Sequence, residues 1–211
     1  ALEERLRQAE KMEAMERMAT GVAHDFNNLL GVVRTAADLL LSSLSQANEL
    51  VSSFKQVAVD QASSQRRRFD LKLVIEEVTA TLTPIIKKTP FRLHLELAGK
   101  VAMDSYPGPI GQVVTNLVMN SLTHAFEARE TGNMTLAARK RGQRQVEIVY
   151  ADDGVGISGS DMQRIFDPFF TTKLGRGGSG LGLHIVYNLV TRVLGGRIKA
   201  SSEVGGGTRF E

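Results

Sequence analysis

Leu2, Leu6, Ala9, Met15, Met18, Val22, Phe26, Leu29, Leu30, Val33, Ala37, Leu40 and Leu44 recur at three- and four-residue steps. That spacing draws one apolar stripe along a helix of many turns. So narrow a stripe on so long a helix needs a partner along its length. Ser42, Ser43 and Ser45 interrupt the pattern, and Ala47, Leu50, Phe54, Val57 and Val59 resume it. The pattern predicts a helical hairpin over residues 1–68. Two helices enclose too little core, so a second copy is expected to complete a four-helix bundle as a homodimer.

From Phe69 the texture changes, which sets the expected boundary between residues 1–68 and 69–211, with a joint at Phe69–Asp70. Asp70 is a good N-cap for a helix over 71–88, which Pro84 should kink or end early. FRLHLEL (91–97) alternates as a strand, 110–128 returns to helical spacing, and 133–139 and 145–151 read as strands around a turn. A Gly-rich stretch over 174–182 precedes a helix over 183–194, and RIKAS and TRFE flank the turn Gly205-Gly206-Gly207. Strands alternate with helices, but FRLHLEL keeps one polar side. The second region is therefore expected to be an α/β sandwich, with helices on one sheet face and water on the other, rather than a doubly wound sheet.

Composition narrows this only slightly. With 42% hydrophobic and 23% charged residues the 211-residue chain is globular in character. A net charge of +3 is too small to propose a nucleic-acid partner. Arg66-Arg67-Arg68 reads as a solvated face or a domain junction. No cysteine is present, which excludes disulfides and thiolate metal sites. No uncharged apolar run reaches bilayer length and no signal-peptide pattern opens the chain, so membrane contact by this piece is not expected. The chain opens mid-helix and closes inside a strand, as an excised piece would. A cytoplasmic setting is expected, with a parent that could be anchored in the inner membrane.

The first helix carries GVAHDFNNLLGVV at residues 21–33. Helix geometry places His24 about 200° from both Val22 and Phe26, on a face shared with Asn28, Gly31, Thr35 and Asp38. A buried, satisfied histidine is disfavoured there; an idle surface histidine is the plainer alternative. Asn28 stands one turn away and reaches what the imidazole reaches. A neutral imidazole is a nucleophile near pH 7, and attack on phosphorus obliges it to shed a proton, for which Asp25 is adjacent. His94, His124 and His184 show no ligand spacing with His24, which argues against a metal centre.

Four further motifs lie in order. QVVTNLVMNSLTHAF sets Asn116 and Asn120 one turn apart on an apolar helix, where hydrated magnesium with phosphates would partner them. YADDGVGIS brings a strand into Asp152, whose carboxylate can accept from an exocyclic amine. Gly154 and Gly156 follow and allow close backbone approach to a flat ligand. IFDPFFTTK has Ile165 and Phe166 closing a short helix that Pro168 stops, an apolar pair at Phe169-Phe170, and Lys173 within reach of a phosphate. GRGGSGLGLHIV places glycines before a helix, where free N–H groups favour an anion. It matches neither a Walker loop nor a dinucleotide fingerprint.

Together these motifs, covering nearly the whole chain, resemble the catalytic core of a two-component sensor histidine kinase. AHDFNN resembles the phosphoacceptor box, NLVMN the N box, DDGVG the first glycine box, FDPFF the F box, GGSGLGL the second glycine box, and GGGT the closing motif. The resemblance implies the ATP-binding fold shared with chaperone and gyrase ATPases, with ATP and Mg²⁺ as ligands. It implies that His24 accepts the γ-phosphoryl group, that Asp25 is base or orienter, and that Asn28 positions the phosphoryl group. It further implies that Asn120, with Asn116, holds magnesium and that Asp152 reads the adenine amino group. Gly154, Gly156, Ile157, His124 and Phe166 would line the nucleotide pocket, with Thr208 in support. Lys173, Ser179, Gly180, Leu181 and Gly182 would meet the phosphates, and residues 158–180 would form a lid. A response-regulator receiver domain would be the partner. Two features depart from the usual pattern: Asp25 stands where Glu is commoner, and the second hairpin helix is short. A hydrolytic ATPase without a phosphoprotein is the rival enzyme, though neither Gln112 nor Asn116 could be its base. A nucleotide-binding scaffold is the non-enzymatic alternative.

Overall fold

The structure, a computed structural model, describes residues 28, 30–38, 40, 65–127, 129–142, 145–173 and 178–211. The chain divides into two compact units, Ala1–Ser45 and Gln46–Glu211. In the first, residues 28, 30–38 and 40 are helical. Leu30, Val32, Val33 and Leu40 are all exposed on that helix. The rest of the expected hairpin, including its serine break and second helix, lies outside the described residues, and so do His24 and Asp25.

In the second unit β1 (Arg67–Asp70) pairs antiparallel with β3 (Ala102–Ser105). Neither strand was expected, because four residues are too few to show an alternation. Phe69 and Asp70 sit opposite Met103 and Ala102, so the expected joint is a paired strand. Arg66, Arg67 and Arg68 are exposed, and Arg66 meets Asp104 at 3.2 Å.

Asp70 caps α1 (Leu71–Ile86) as expected: its Oδ1 accepts from Lys72 N at 3.1 Å and also from Val101 N at 3.1 Å. One carboxylate thus starts the helix and ties it to the loop before β3. Pro84 does not stop this helix, which runs two residues further to Ile86. A proline in the last turn removes a single intrahelical bond, and buried Leu82 and Ile86 hold that turn on the core.

Five strands form the main sheet in the order β2-β4-β5-β7-β6, where β2 is Phe91–Leu97, β4 Gly132–Arg141, β5 Gln145–Asp152, β6 Ala200–Glu203 and β7 Gly207–Phe210. β2 and β4 are parallel and every other neighbouring pair is antiparallel. Met134, Leu136 and Ala138 point into the core from β4, whereas Thr135 and Ala137 between them are half-buried and Asn133 and Arg139 on either side are exposed. Tyr150 and Phe210 continue that inner face on β5 and β7. Against it pack Leu71, Ile75 and Leu82 of α1, Ile110, Val114 and Val118 of α2 (Pro107–Asn120), and Val186 of α4 (Gly182–Asn188). A sandwich with one covered and one wet face results, as the one-sided alternation required. Short α3 (Gly159–Met162) ends before Ile165 and Phe166, which lie in turns instead of closing a helix. Strand β6 starts at Ala200, three residues into RIKAS.

Core burial should dominate stability. Leu136 is fully buried, so Leu136→Ala is expected to lose about 3 kcal/mol of unfolding free energy. Leu95, 40% exposed on β2, should lose less than about 1 kcal/mol on the same change. Urea denaturation of the two variants checks the ordering.

Candidate functional site

Helix α2 begins with prolines at its first turn, where a missing N–H removes no helical bond. Its buried side carries Ile110, Val113, Val114, Leu117 and Val118, which leaves Asn116 and Asn120 on another face. Both line a cavity of about 370 Å³ between α2, the end of β5 and residues 158–172 and 178–183. The Nδ2 of Asn116 donates to Gln112 O at 2.9 Å, so its Oδ1 is the atom left for a ligand.

After Asn120 the helix widens into a π turn over Ser121–Ala125. Such turns often mark functional sites. Here the turn delivers Ser121 Oγ to Asp152 Oδ2 at 2.7 Å, sets His124 in the cavity wall, and leaves Ala125 O to accept from Val155 N at 2.8 Å. Periodicity of 3.6 cannot foretell this, and neither Ser121 nor the wall residues Thr123 and Glu127 were expected.

Asp152 ends β5 opposite Met134 on one side and Thr208 on the other. Only 8% of it is exposed. Its Oδ1 accepts from Gly154 N at 3.0 Å and Thr208 N at 3.3 Å, and Oδ2 takes the Ser121 hydroxyl. A carboxylate offers about four acceptor sites, so roughly one remains for the cavity. Burial pushes the Asp152 pKa above the ordinary carboxylate value; the Ser121 hydroxyl and the Gly154 and Thr208 N–H groups oppose the rise, and the Asp153 charge adds to it. Burial also lowers the His124 pKa, with help from Lys173 and against Glu127, which favours the neutral ring at pH 7.

Close approach requires glycine at residues 156 and 180 among others. Gly156 has φ +73°, and a Cβ there would lie 2.0 Å from Glu203 O. Gly180 has φ +68°, and its Cβ would lie 2.4 Å from the Phe169 carbonyl carbon. The FDPFF and GGSGLGL motifs are therefore in main-chain contact.

Of the residues singled out in the sequence, Asn116, Asn120, His124, Asp152, Gly156, Ile157, Ser179, Gly180, Gly182 and Thr208 line the one cavity. Gly154, Phe166, Lys173 and Leu181 do not. Gly154 serves Asp152 from below, and Phe166 gives its carbonyl to His184 Nδ1 at 2.9 Å. Lys173 Nζ donates to Thr123 O at 2.7 Å and pairs with Glu127 at 3.2 Å. Leu181 caps α4. The apolar pair divides: Phe170 turns to the cavity beneath the Arg164 guanidinium, 4.8 Å from its ring, whereas Phe169 is 61% exposed. Asn28 lies in the other unit, on its exposed helix. Residues 174–177 of the glycine stretch lie outside the described residues.

This geometry has a counterpart among known proteins. The family model for histidine kinase-, DNA gyrase B- and HSP90-like ATPases matches residues 106–211, and the chain belongs to that family. Along its length it is similar to the sensor kinase CckA of Brucella abortus (strain 2308), 33% identical over 100% of this chain and 25% of the relative. It is also similar to the sensor histidine kinase ZraS of Klebsiella oxytoca, 31% identical over 99% of this chain and 48% of the relative. The chain thus spans between a quarter and about half of those relatives. The catalytic domain of histidine kinase ThkA superposes with a TM-score of 0.60 at 27% identity, over 69% of this chain and 94% of that one. Full-length ShkA in complex with AMPPNP shares the fold, with a TM-score of 0.62 at 23% identity over 79% of this chain and 35% of that one. Among the described residues no helix is long and apolar enough to cross a membrane.

Because the Asp152 pKa is raised in the folded state, the stability linked to it is present at low pH and lost as pH rises through the raised value. Ionised Asp152 therefore weighs against the fold at pH 7. Asp152→Asn keeps the shape, and the Ser121 hydroxyl can turn to accept from the new amide. The variant should melt at an equal or higher temperature at pH 7, yet gain no stabilisation from ATP–Mg²⁺ in a thermal-shift assay. A melting point several degrees lower without nucleotide would contradict this account.

Proposed function

We propose that the second unit binds ATP and that the chain is the catalytic core of a protein histidine kinase that phosphorylates itself on His24. The observation that carries the proposal is Asp152, a buried carboxylate with one open acceptor site at the end of a cavity sized for a nucleotide. The exocyclic amine of adenine is the donor that suits it. Ile157, Val155 and Met119 supply apolar wall for a purine, and Ser179, Gly180 and Gly182 bring main-chain and hydroxyl groups to the wall for phosphates.

Asn116 and Asn120 offer hard amide oxygens, a donor set that fits Mg²⁺ already bridged by phosphates. Among the described residues no cluster of carboxylates, histidines or cysteines could hold a metal alone. A divalent ion would neutralise phosphate charge there, and both asparagines would keep it against α2.

In transfer, a ring nitrogen of His24 forms a bond to the γ-phosphorus as the bond to the β,γ-bridging oxygen breaks. ADP leaves, and the imidazole proton passes to Asp25. Asn28, one turn away, donates to the transferring group. The phosphohistidine then gives its phosphoryl group to an aspartate of a response-regulator receiver domain. Exposed Leu30, Val33 and Leu40 at helical spacing support closure of the hairpin as a homodimeric four-helix bundle. Helix α2 holds no carboxylate, which disfavours the hydrolytic alternative.

Incubation with γ-labelled ATP is expected to give acid-labile, base-stable label on the chain, and His24→Ala should abolish it. Label that survives this change, or phosphate release without any phosphoprotein, would overturn the assignment.

A further inference from the structure

Arg129 lies on the loop between the π turn and β4, with its N–H on Phe126 O at 3.2 Å. Nothing in the sequence drew notice to it. Its half-buried guanidinium donates to three main-chain carbonyls: Asp153 O, Gly154 O at 3.1 Å, and Gly205 O at 3.4 Å. The first two belong to the loop that leaves β5 and the third to the turn between β6 and β7. Among the described residues no carboxylate pairs with Arg129, so the charge is directed to these carbonyls alone.

The same two loops touch elsewhere. Gly205 N donates to Val155 O at 2.8 Å, and Gly156 abuts Glu203 O. Asp153 is tied from behind, its carboxylate accepting from Asn133 N and Nδ2, each at 2.8 Å. Asp152 precedes the stapled segment by one residue, and Thr208 follows Gly205 by three. Thr208 N in turn donates to the Asp152 carboxylate at 3.3 Å. A planar guanidinium with five donors in a rigid fork can bridge three carbonyls at once, whereas an ammonium cannot hold that geometry.

We propose that Arg129 is a positioning residue that sets the base selectivity of the nucleotide site, by stapling the Asp153–Gly154 loop to the Gly205 turn and so aiming Asp152 at the base. The inference rests on the nucleotide reading above and deepens it. Arg129 touches no ligand; it fixes the direction of the one open acceptor. Selectivity between purines depends on that direction, because a guanine keto oxygen opposite the carboxylate would be repelled while the adenine amine is accepted. Phosphate contacts to other wall residues do not depend on it.

Competition binding of ATP and GTP to the whole chain, with Mg²⁺, tests this. Arg129→Met keeps the apolar stem and removes the donors. It should weaken ATP roughly tenfold and GTP by less than about threefold, as the loss of charge-assisted hydrogen bonds predicts. The preference for ATP therefore narrows. Arg129→Lys should recover part of that preference. A general loosening would weaken both nucleotides by one factor; equal losses, or wild-type selectivity in the folded variant, overturn the role. Should Arg129→Met fail to fold, Arg129→Gln carries the same comparison of ratios. Asp152→Asn separates the two levels. If it still binds ATP, the nucleotide reading itself fails; if it loses ATP while Arg129→Met keeps full selectivity, only the role of Arg129 fails.

Discussion

A carboxylate kept in a nearly dry place is the constraint around which this unit is arranged. Burying an ionised group without partners is prohibitively unfavourable, and Asp152 avoids that only because three donors from three segments reach it. Ser121 comes from the π turn, Gly154 from the loop after β5, and Thr208 from β7. The β5–β7 register that sets Asp152 opposite Thr208 is thus also an electrostatic requirement. A slip of one residue would turn Asp152 to the wet face and leave a sheet of similar hydrogen bonding with no site.

The π turn follows from the same demand. Asn116 and Asn120 need a regular helix, because one turn of separation places both amides in the cavity. Ser121 must then leave that spacing to reach beneath Asp152, and Ala125 must free its carbonyl for Val155. Widening the helix by one residue per turn achieves both without breaking it. Hydrophobic packing permits the arrangement, since Leu117 and Val118 before the turn and Phe126 after it remain in the core.

What the sequence disclosed and what it withheld divide along physical lines. β2 was legible to the residue because FRLHLEL alternates over seven positions, and the N-cap of α1 was legible because Asp70 is a strong local signal. Ten of the residues singled out meet at one cavity, since they were read from several motifs taken together, each of which alone has a plainer local explanation. β1 and β3 escaped because their pairing is decided by tertiary contact between segments about thirty residues apart. Arg129 and Ser121 escaped for a related reason: their partners are carbonyls and a carboxylate brought near by the fold. Lys173, read as within reach of a phosphate, gives its ammonium to the Thr123 carbonyl and to Glu127, partners that the sequence did not suggest.

Two parts of the cavity wall are built on different principles. Around Asp152, side chains with fixed partners do the holding: Asp153 on Asn133, Arg129 on three carbonyls, and Ser121 on Asp152. Around Gly180 the chain itself is fitted to the chain. Phe169 adopts φ +65°, a conformation that costs a bulky residue on the order of 1–3 kcal/mol, and its main chain rests where any Cβ on residue 180 would have to go. Pro168 and Gly180 make that contact possible from opposite sides, one by restricting the chain before the strained residue and the other by offering no side chain. The FDPFF loop and the second glycine motif are therefore one interlocked piece. A side chain at residue 180 would disturb Phe169 and, through it, its neighbour Phe170 in the cavity wall. The glycine at residue 180 is thus required by the phenylalanine's backbone, whatever the ligand.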